Sequence, residues 1–169
     1  MSLRSGSQIA KAGELIINPN NLKIEGWYCQ DRLARGTLIL QGQDIRDIIA
    51  QGIVVNDRDA LTHPDDLIRL QEIIKHKFQL IGKPVVTSSG RKLGKVTDFA
   101  TDTQSLYIQK IYVARPLLKS LSGGSLGVDR TQIVEITNRK IIVNDLTAPV
   151  KEKVSVKEAV AVTAPLNPA

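Results

Sequence analysis

Two five-residue segments of this chain are nearly identical, IVVND at 53–57 and IIVND at 141–145. At the same offset of 88 positions, residues 37–57 align with residues 125–145 without a gap, and apolar positions fall on apolar positions. A match over this length indicates an internal repeat, which constrains the fold more than any other feature of the sequence.

The repeat continues towards the N-terminus at an offset of 84 positions. Residues 5–15 align with 89–99, and residues 22–29 align with 106–113. The four-residue change in offset falls in a stretch that contains glycine in both copies, where a loop absorbs a difference in length. The chain is therefore predicted to contain two copies of one unit.

Each copy is composed of short segments rich in β-branched and aromatic residues, which are typical of half-buried strands. In the second copy, KPVVTSSGRKLGKVTDFA (83–100) predicts a strand, a turn at 88–90 and a second strand. The segments leave no room for long crossovers, so the strands are predicted to be antiparallel. Curling into a small barrel removes the edges of such a sheet. The predicted fold class is mainly β, with two small antiparallel β-barrels joined by an amphipathic helix.

The joining helix is predicted from a change to helical spacing in THPDDLIRLQEIIKHKF (62–78), with Thr62 as its N-cap. Its apolar stripe, which must pack on one or both barrels, comprises Leu67, Leu70, Ile74 and Phe78. The predicted organisation is a first unit at 1–57, a linker helix at 58–79, a second unit at 80–146 and a flexible tail at 147–169.

The first unit has no counterpart to LIGKPVV (80–86) of the second, because only Met1–Arg4 stand in that position. Its opening strand is therefore expected to be missing, which would leave an open edge. Unpaired edges promote strand addition. We expect the edge to be filled by the apolar part of the tail (153–162) or by a second molecule, which would make a homodimer.

The net charge of +6 is concentrated in the second unit. Residues 80–146 contain ten Lys and Arg against five Asp and Glu. Such a basic surface can meet an acidic protein, an RNA backbone or an anionic lipid surface, although it can also serve only to solvate the exterior of a small barrel. The residues predicted to bind a partner are Arg91, Lys92 and Lys95 in the hairpin, and Arg115 and Lys119 in the following loop.

Residues for catalysis or for binding a metal or cofactor do not form a recognisable pattern. The histidines His63 and His76 lie 13 positions apart, which is not the spacing of a zinc site. The glycine-rich SGGSLG (122–127) lacks the lysine of a phosphate-binding loop and is interpreted as a turn. Cys29 aligns with Val113 in the repeat and is interpreted as a small core residue. No enzyme activity, cofactor or metal is expected.

The second unit resembles a PRC-barrel domain over residues 80–146. The family pattern opens with L-x-G-x-x-V, continues with G-x-x-L-G-x-V-x-D and closes with spaced isoleucines and a valine. The residues that fill this pattern are Leu80, Gly82, Val85, Gly90, Leu93, Gly94, Val96, Asp98, Ile133, Ile136 and Val143. The resemblance reaches the first unit only through the repeat, since Ala10 replaces Gly94 and Ala12 replaces Val96.

Two such units look like the tandem PRC-barrel proteins of bacteria. The resemblance implies small β-barrels that serve mainly as protein-interaction modules, as in the H subunit of photosynthetic reaction centres and in the ribosome maturation factor. It implies no catalytic residue. A non-enzymatic scaffold or adaptor is therefore expected, and the alternative is an RNA- or ribosome-associated protein that uses the basic second barrel. The sequence has no signal peptide and no run of 18 apolar residues, so a soluble cytoplasmic protein is expected.

Overall fold

The computed structural model describes residues 1–31, 36–114 and 125–145, and within them the protein is mainly β with one short α-helix. The strands of the first half are β1 (Ala10–Asn18), β2 (Lys23–Asp31), β3 (Thr37–Gln41), β4 (Ile45–Ile49), β5 (Gly52–Val55) and β6 (Leu61–Thr62). Helix α1 is Gln71–His76. The strands of the second half are β7 (Pro84–Thr87), β8 (Lys92–Thr101), β9 (Ile108–Ala114), β10 (Ser125–Asp129), β11 (Ile133–Ile136) and β12 (Ile141–Val143).

The second half forms one six-stranded sheet in the order β10-β9-β8-β7-β12-β11. Its neighbouring strands are antiparallel, as predicted, except for β7 and β12, which are parallel. The prediction of a purely antiparallel sheet was therefore wrong at this pair. β7 and β12 are the first and last strands of the unit, so the strands between them supply the long connection that a parallel pair needs.

The pairings of the second half recur in the first half. The order β1-β2-β3 corresponds to β8-β9-β10, and the β4–β5 hairpin corresponds to the β11–β12 hairpin. Even the irregularities recur, since the register shifts at 16/17 in β1 and at 100/101 in β8, which are 84 positions apart. Equivalent sequence segments thus adopt equivalent local structure in the two halves.

The two halves meet at equivalent segments. Lys23 forms an antiparallel bridge with Tyr107, which occupies the equivalent position of the second half. Side chains from both halves then pack into one hydrophobic cluster, in which Leu22 and Ile24 of the first half lie with Leu106 and Ile108 of the second. The halves are therefore joined by backbone hydrogen bonds and by a shared core.

The N-terminal residues occupy most of the place where an open edge was expected. Ser2 forms a parallel bridge with Val55 in β5, and the N–H of Val55 donates to the carbonyl of Met1 at 3.0 Å. These residues lie beside β5 as β7 lies beside β12. The expectation that this position needs an added strand is therefore corrected, because Met1–Leu3 themselves pair with β5. The tail segment 153–162 lies outside the described residues.

The backbone pairing of Val96 in β8 differs from that of its counterpart in β1. In the second half, the N–H of Val96 donates to the carbonyl of Lys83 at 3.0 Å, and the carbonyl of Val96 accepts from the N–H of Gly82 at 2.7 Å. Val96 is buried. Its counterpart Ala12 is exposed, and within the described part of the chain β1 is the end strand of its sheet.

The linker between the halves is not the predicted continuous helix. It consists of short 3-10 turns, the two-residue strand β6 and the single α-helical segment α1. Thr62 pairs with Ile39 in β3 instead of capping a helix, and Leu67 has φ −95° and ψ 65°, which interrupts helical geometry. The apolar stripe still packs inward, with Leu67 against Ile16 and Ile39, and Phe78 in the shared cluster.

Candidate interaction surface

The predicted basic hairpin is formed by β7, β8 and the tight turn between them. The N–H of Thr87 donates to the carbonyl of Arg91 at 2.9 Å, and the N–H of Gly90 donates to the carbonyl of Thr87 at 2.9 Å. Gly90 has φ +85°, a conformation that favours glycine. Arg91 is therefore held, exposed, at the end of the turn.

A β-bulge in β8 brings two lysines of the hairpin onto one face. Lys92 pairs with Val86 in β7, and Lys95 pairs with Pro84, although three positions separate the lysines and only two separate their partners. Leu93 is the extra residue of the bulge. Because Val86 and Pro84 point to the same side of β7, Lys92 and Lys95 share that side as well.

Gly94 allows the backbone to form this bulge, because it has no side chain. Its φ is +148°, and a Cβ at this position would lie 1.8 Å from the carbonyl oxygen of Ala114 in β9. Any side chain would therefore collide with backbone that cannot move without breaking the β8–β9 ladder. Gly94 thus permits the bulge that puts Lys92 and Lys95 on one face.

The structure adds Lys140, which the sequence did not single out, to these lysines. Ile141 pairs with Val85, so the preceding Lys140 comes beside Pro84, on the side opposite Lys95. Lys95 and Lys140 are therefore about two strand spacings, or about 10 Å, apart. Both are exposed. Only the parallel pairing of β7 and β12 brings Lys140 here, and no local sequence signal indicates that pairing.

Arg91 has a different environment, because it lies near the carboxylate of Asp145. The backbone N–H of Ser89 donates to Asp145 at 2.9 Å, and the Ser89 hydroxyl donates at 2.6 Å. The Ser89 hydroxyl is the largest of the influences that lower the pKa of Asp145; Thr87 and the charge of Arg91 also contribute. The last residue of the repeated VND motif therefore holds the hairpin turn, and it offsets part of the Arg91 charge. Of the other predicted binding residues, Arg115 and Lys119 lie outside the described residues.

An aromatic–basic contact lies at the junction of the halves. The guanidinium of Arg130 is 4.4 Å from the ring centre of Tyr107, and the ammonium of Lys23 is 6.0 Å from it. Both distances are within the range of cation–π attraction. The ring of Tyr107 is thus in contact with cations of this chain.

Lys83 is a buried cation in the second half. Its Nζ donates to the carbonyl of Asn138 at 2.9 Å and lies 4.5 Å from the ring centre of Phe78. Burial lowers the pKa of Lys83, because removal from water disfavours the charged ammonium. Its partners fix the tip of the β11–β12 hairpin against β7.

Cys29 lies in the core of the first half, as predicted. Burial raises the pKa of its thiol, so the thiol stays protonated and weakly nucleophilic. A cavity of about 400 Å³ lies beside it, lined mainly by apolar side chains such as Leu40 and Ile53.

Among residues 1–31, 36–114 and 125–145, no group of three or more His, Cys, Asp or Glu side chains is arranged to hold a metal ion. None of the helices in those ranges has the length and apolar character required to cross a bilayer.

The fold of the second half is that of a small β-domain with a basic outward face. Residues 76–154 match the PRC-barrel domain, and this match includes every strand from β7 to β12. The match starts and ends outside the predicted boundaries of 80 and 146 and covers just under half of the chain. No curated protein matches the sequence.

Proposed function

We propose that this chain is a non-enzymatic protein-interaction scaffold or adaptor built from two PRC-like barrels. The PRC-barrel match of the second half supports this function, and the recurrence of its strand pairings in the first half supports the second barrel. The observation that carries the proposal is the bulge in β8, which presents Lys92 and Lys95 together on an outward face.

The environments of the titratable groups favour binding over catalysis. In the described part of the chain, the groups with shifted pKa have structural roles: Tyr28 packs in a hydrophobic cluster, and Asp145 and Asp102 accept hydrogen bonds from turns. Cys29 and Lys83 are buried and held by backbone carbonyls. These contacts stabilise the fold. They also engage the groups that would otherwise be candidates for acid–base or nucleophilic chemistry.

The rival function is association with RNA or the ribosome through the basic second barrel. The contact of Tyr107 with Arg130 and Lys23 favours it, because stacked aromatic and basic side chains are common in RNA-binding surfaces. Half-burial of Tyr107 between these cations limits its access to a base.

Affinity capture from the source cells distinguishes these functions. The full chain is used as bait at low and moderate salt, with and without RNase, beside a variant carrying Lys92→Glu and Lys95→Glu. The scaffold function predicts a protein that survives RNase, and loss of that protein with the variant would place the contact at Lys92 and Lys95. Material that RNase removes would instead support the RNA function, and its binding should weaken log-linearly with salt.

The exposed stretch of β1 around Ala12 is a second surface of the proposed scaffold. A second molecule that adds a strand there would make a homodimer. Sedimentation of the full chain tests this: a dimer supports the proposal, and a monomer excludes it.

A further inference from the structure

The outward face of the β8-β7-β12-β11 part of the sheet combines positive charge with exposed apolar side chains. Here it is called the mixed face. We infer that it docks an acidic protein segment that also carries apolar side chains. This inference rests on the proposed interaction function and specifies its surface and its partner. The mixed face consists of Lys92, Lys95, Pro84, Val86, Lys140, Ile142, Val134 and Glu135.

The charges of the mixed face lie in two neighbouring rows. One row runs across the strands from Lys95 over Pro84 to Lys140, and the next runs from Lys92 over Val86 and Ile142. The lysines therefore border the apolar centre on two sides, at distances of about 5–10 Å. Glu135 ends the second row, so the face carries a net positive charge.

The apolar centre faces outward because the other face of the same strands is the core. Val85, Ile141 and Val143 are fully buried, so their neighbours Val86 and Ile142 point outward, where they are only half-buried. Val134 is the extra residue of a bulge in β11 and is 59% exposed. A partner that covers these side chains removes their apolar surface from water, which favours binding.

The fold does not require this combination, because the first half lacks it. Gln8 stands at the position equivalent to Lys92, and Gly52 at that of Lys140. Val54, equivalent to Ile142, is buried. The mixed face is thus particular to the second half, whereas the strand pairing beneath it is shared.

The composition of the mixed face fits a protein partner better than a nucleic acid. Phosphate contacts need cations alone, and sequence-tolerant binding of single strands adds aromatic stacking. The centre of this face holds Val86 and Ile142, which offer neither. Aliphatic side chains bordered by lysines match a segment that carries apolar side chains and carboxylates together.

The test uses the full chain and three fluorescent probes in an anisotropy titration. The first probe is a peptide of Glu-Glu-Val-Val repeats, the second has serine in place of each valine, and the third is single-stranded RNA of the same charge. We expect the valine peptide to bind at least tenfold more tightly than the serine peptide. Lys92→Glu combined with Lys95→Glu should weaken it by about tenfold or more, and Ile142→Thr should remove its advantage over the serine peptide.

The matched control carries Arg69→Glu and Lys75→Glu, which change the net charge by the same amount at exposed positions outside the mixed face, and should bind like the parent. Circular dichroism of each variant confirms that it is folded. Three results would each overturn the inference. The two peptides could bind with equal affinity, or none of the probes could bind. The chain could also bind RNA more tightly than the valine peptide, with an RNA affinity that Ile142→Thr does not change. A cellular protein retained equally by the parent and the Lys92/Lys95 variant would overturn this docking face while leaving the scaffold function intact.

Discussion

Leu22 and Leu106 occupy equivalent positions in the two halves, and each accepts a hydrogen bond from the other half. The N–H of Ile24 donates to the carbonyl of Leu106, and the N–H of Ile108 donates to the carbonyl of Leu22, both at 2.9 Å. A local two-fold axis relates the two hydrogen bonds. Both leucines are buried and have positive φ, +54° and +60°.

The positive φ of Leu106 predicts an unusual order of stability between two substitutions. Leu106→Ala should cost about 2–5 kcal/mol, because it removes a buried side chain. Leu106→Gly should cost no more than the alanine variant, because a left-handed conformation costs a non-glycine residue about 1–2 kcal/mol. Urea unfolding followed by circular dichroism measures both.

Leu126 provides the control, because it is buried to a similar degree in β10 and does not have positive φ. There, glycine should be less stable than alanine by about 0.5–1 kcal/mol. The same order of glycine and alanine at both positions would show that the backbone of Leu106 is not constrained as described.

The shared core predicts that the two halves unfold together. Trp27 is the only tryptophan and lies in the first half, where it packs against the shared cluster. Leu126→Ala, in the second half, should therefore shift the Trp27 fluorescence transition and the circular dichroism transition in urea by the same amount. A fluorescence transition that stays at the parent midpoint while circular dichroism shifts would mean that the halves are independent.

Gly94 is predicted to be intolerant of even a methyl group. Gly94→Ala should destabilise the protein by more than about 3 kcal/mol, because it combines an unfavourable φ with a backbone collision. Gly127→Ala in β10 is the matched control, since the nearest atom to its new Cβ is on a lysine side chain at 3.4 Å. It should change stability by about 1 kcal/mol or less. Thermal and urea unfolding check both, and comparable losses would contradict the role of Gly94.

Lys83 is predicted to make stability depend on alkaline pH. Burial lowers its pKa in the folded protein from the ordinary 10.5, so the unfolded chain binds more protons in the window between the two values. The folded parent therefore gains stability relative to Lys83→Met as the pH rises through that window. Urea unfolding of both proteins from neutral pH upward measures the difference. A difference that is constant, or that grows in favour of the methionine variant, would contradict a lowered pKa.

The local structure of the second half was largely predictable from sequence. The strand–turn–strand of 83–100 follows from β-branched residues around a Ser-Ser-Gly turn, and β7 and β8 form there. The repeat predicted equivalent segments because it keeps apolar positions in phase. The burial of Cys29 followed from its alignment with Val113.

The errors arose where tertiary contacts outweigh local pattern. The spacing of 62–78 is helical, but Leu61 and Thr62 pair with β3, and the backbone at Leu67 interrupts the helix. Both effects depend on residues distant in sequence. The site was only partly predicted for the same reason: the bulge at Leu93 and the parallel β7–β12 pairing decide which lysines share a face, and neither has a reliable local signal.

The most direct test of the scaffold function is site-specific photo-crosslinking of the full chain in the source cells. A photoreactive amino acid replaces Lys95 in one protein and, as the control, the exposed Lys75 of α1 in another. We predict a discrete adduct from position 95 that protease destroys and RNase leaves intact, and that position 75 does not give. An adduct from position 95 that RNase removes, or identical adducts from both positions, would contradict the proposal that the second half binds a protein through this face.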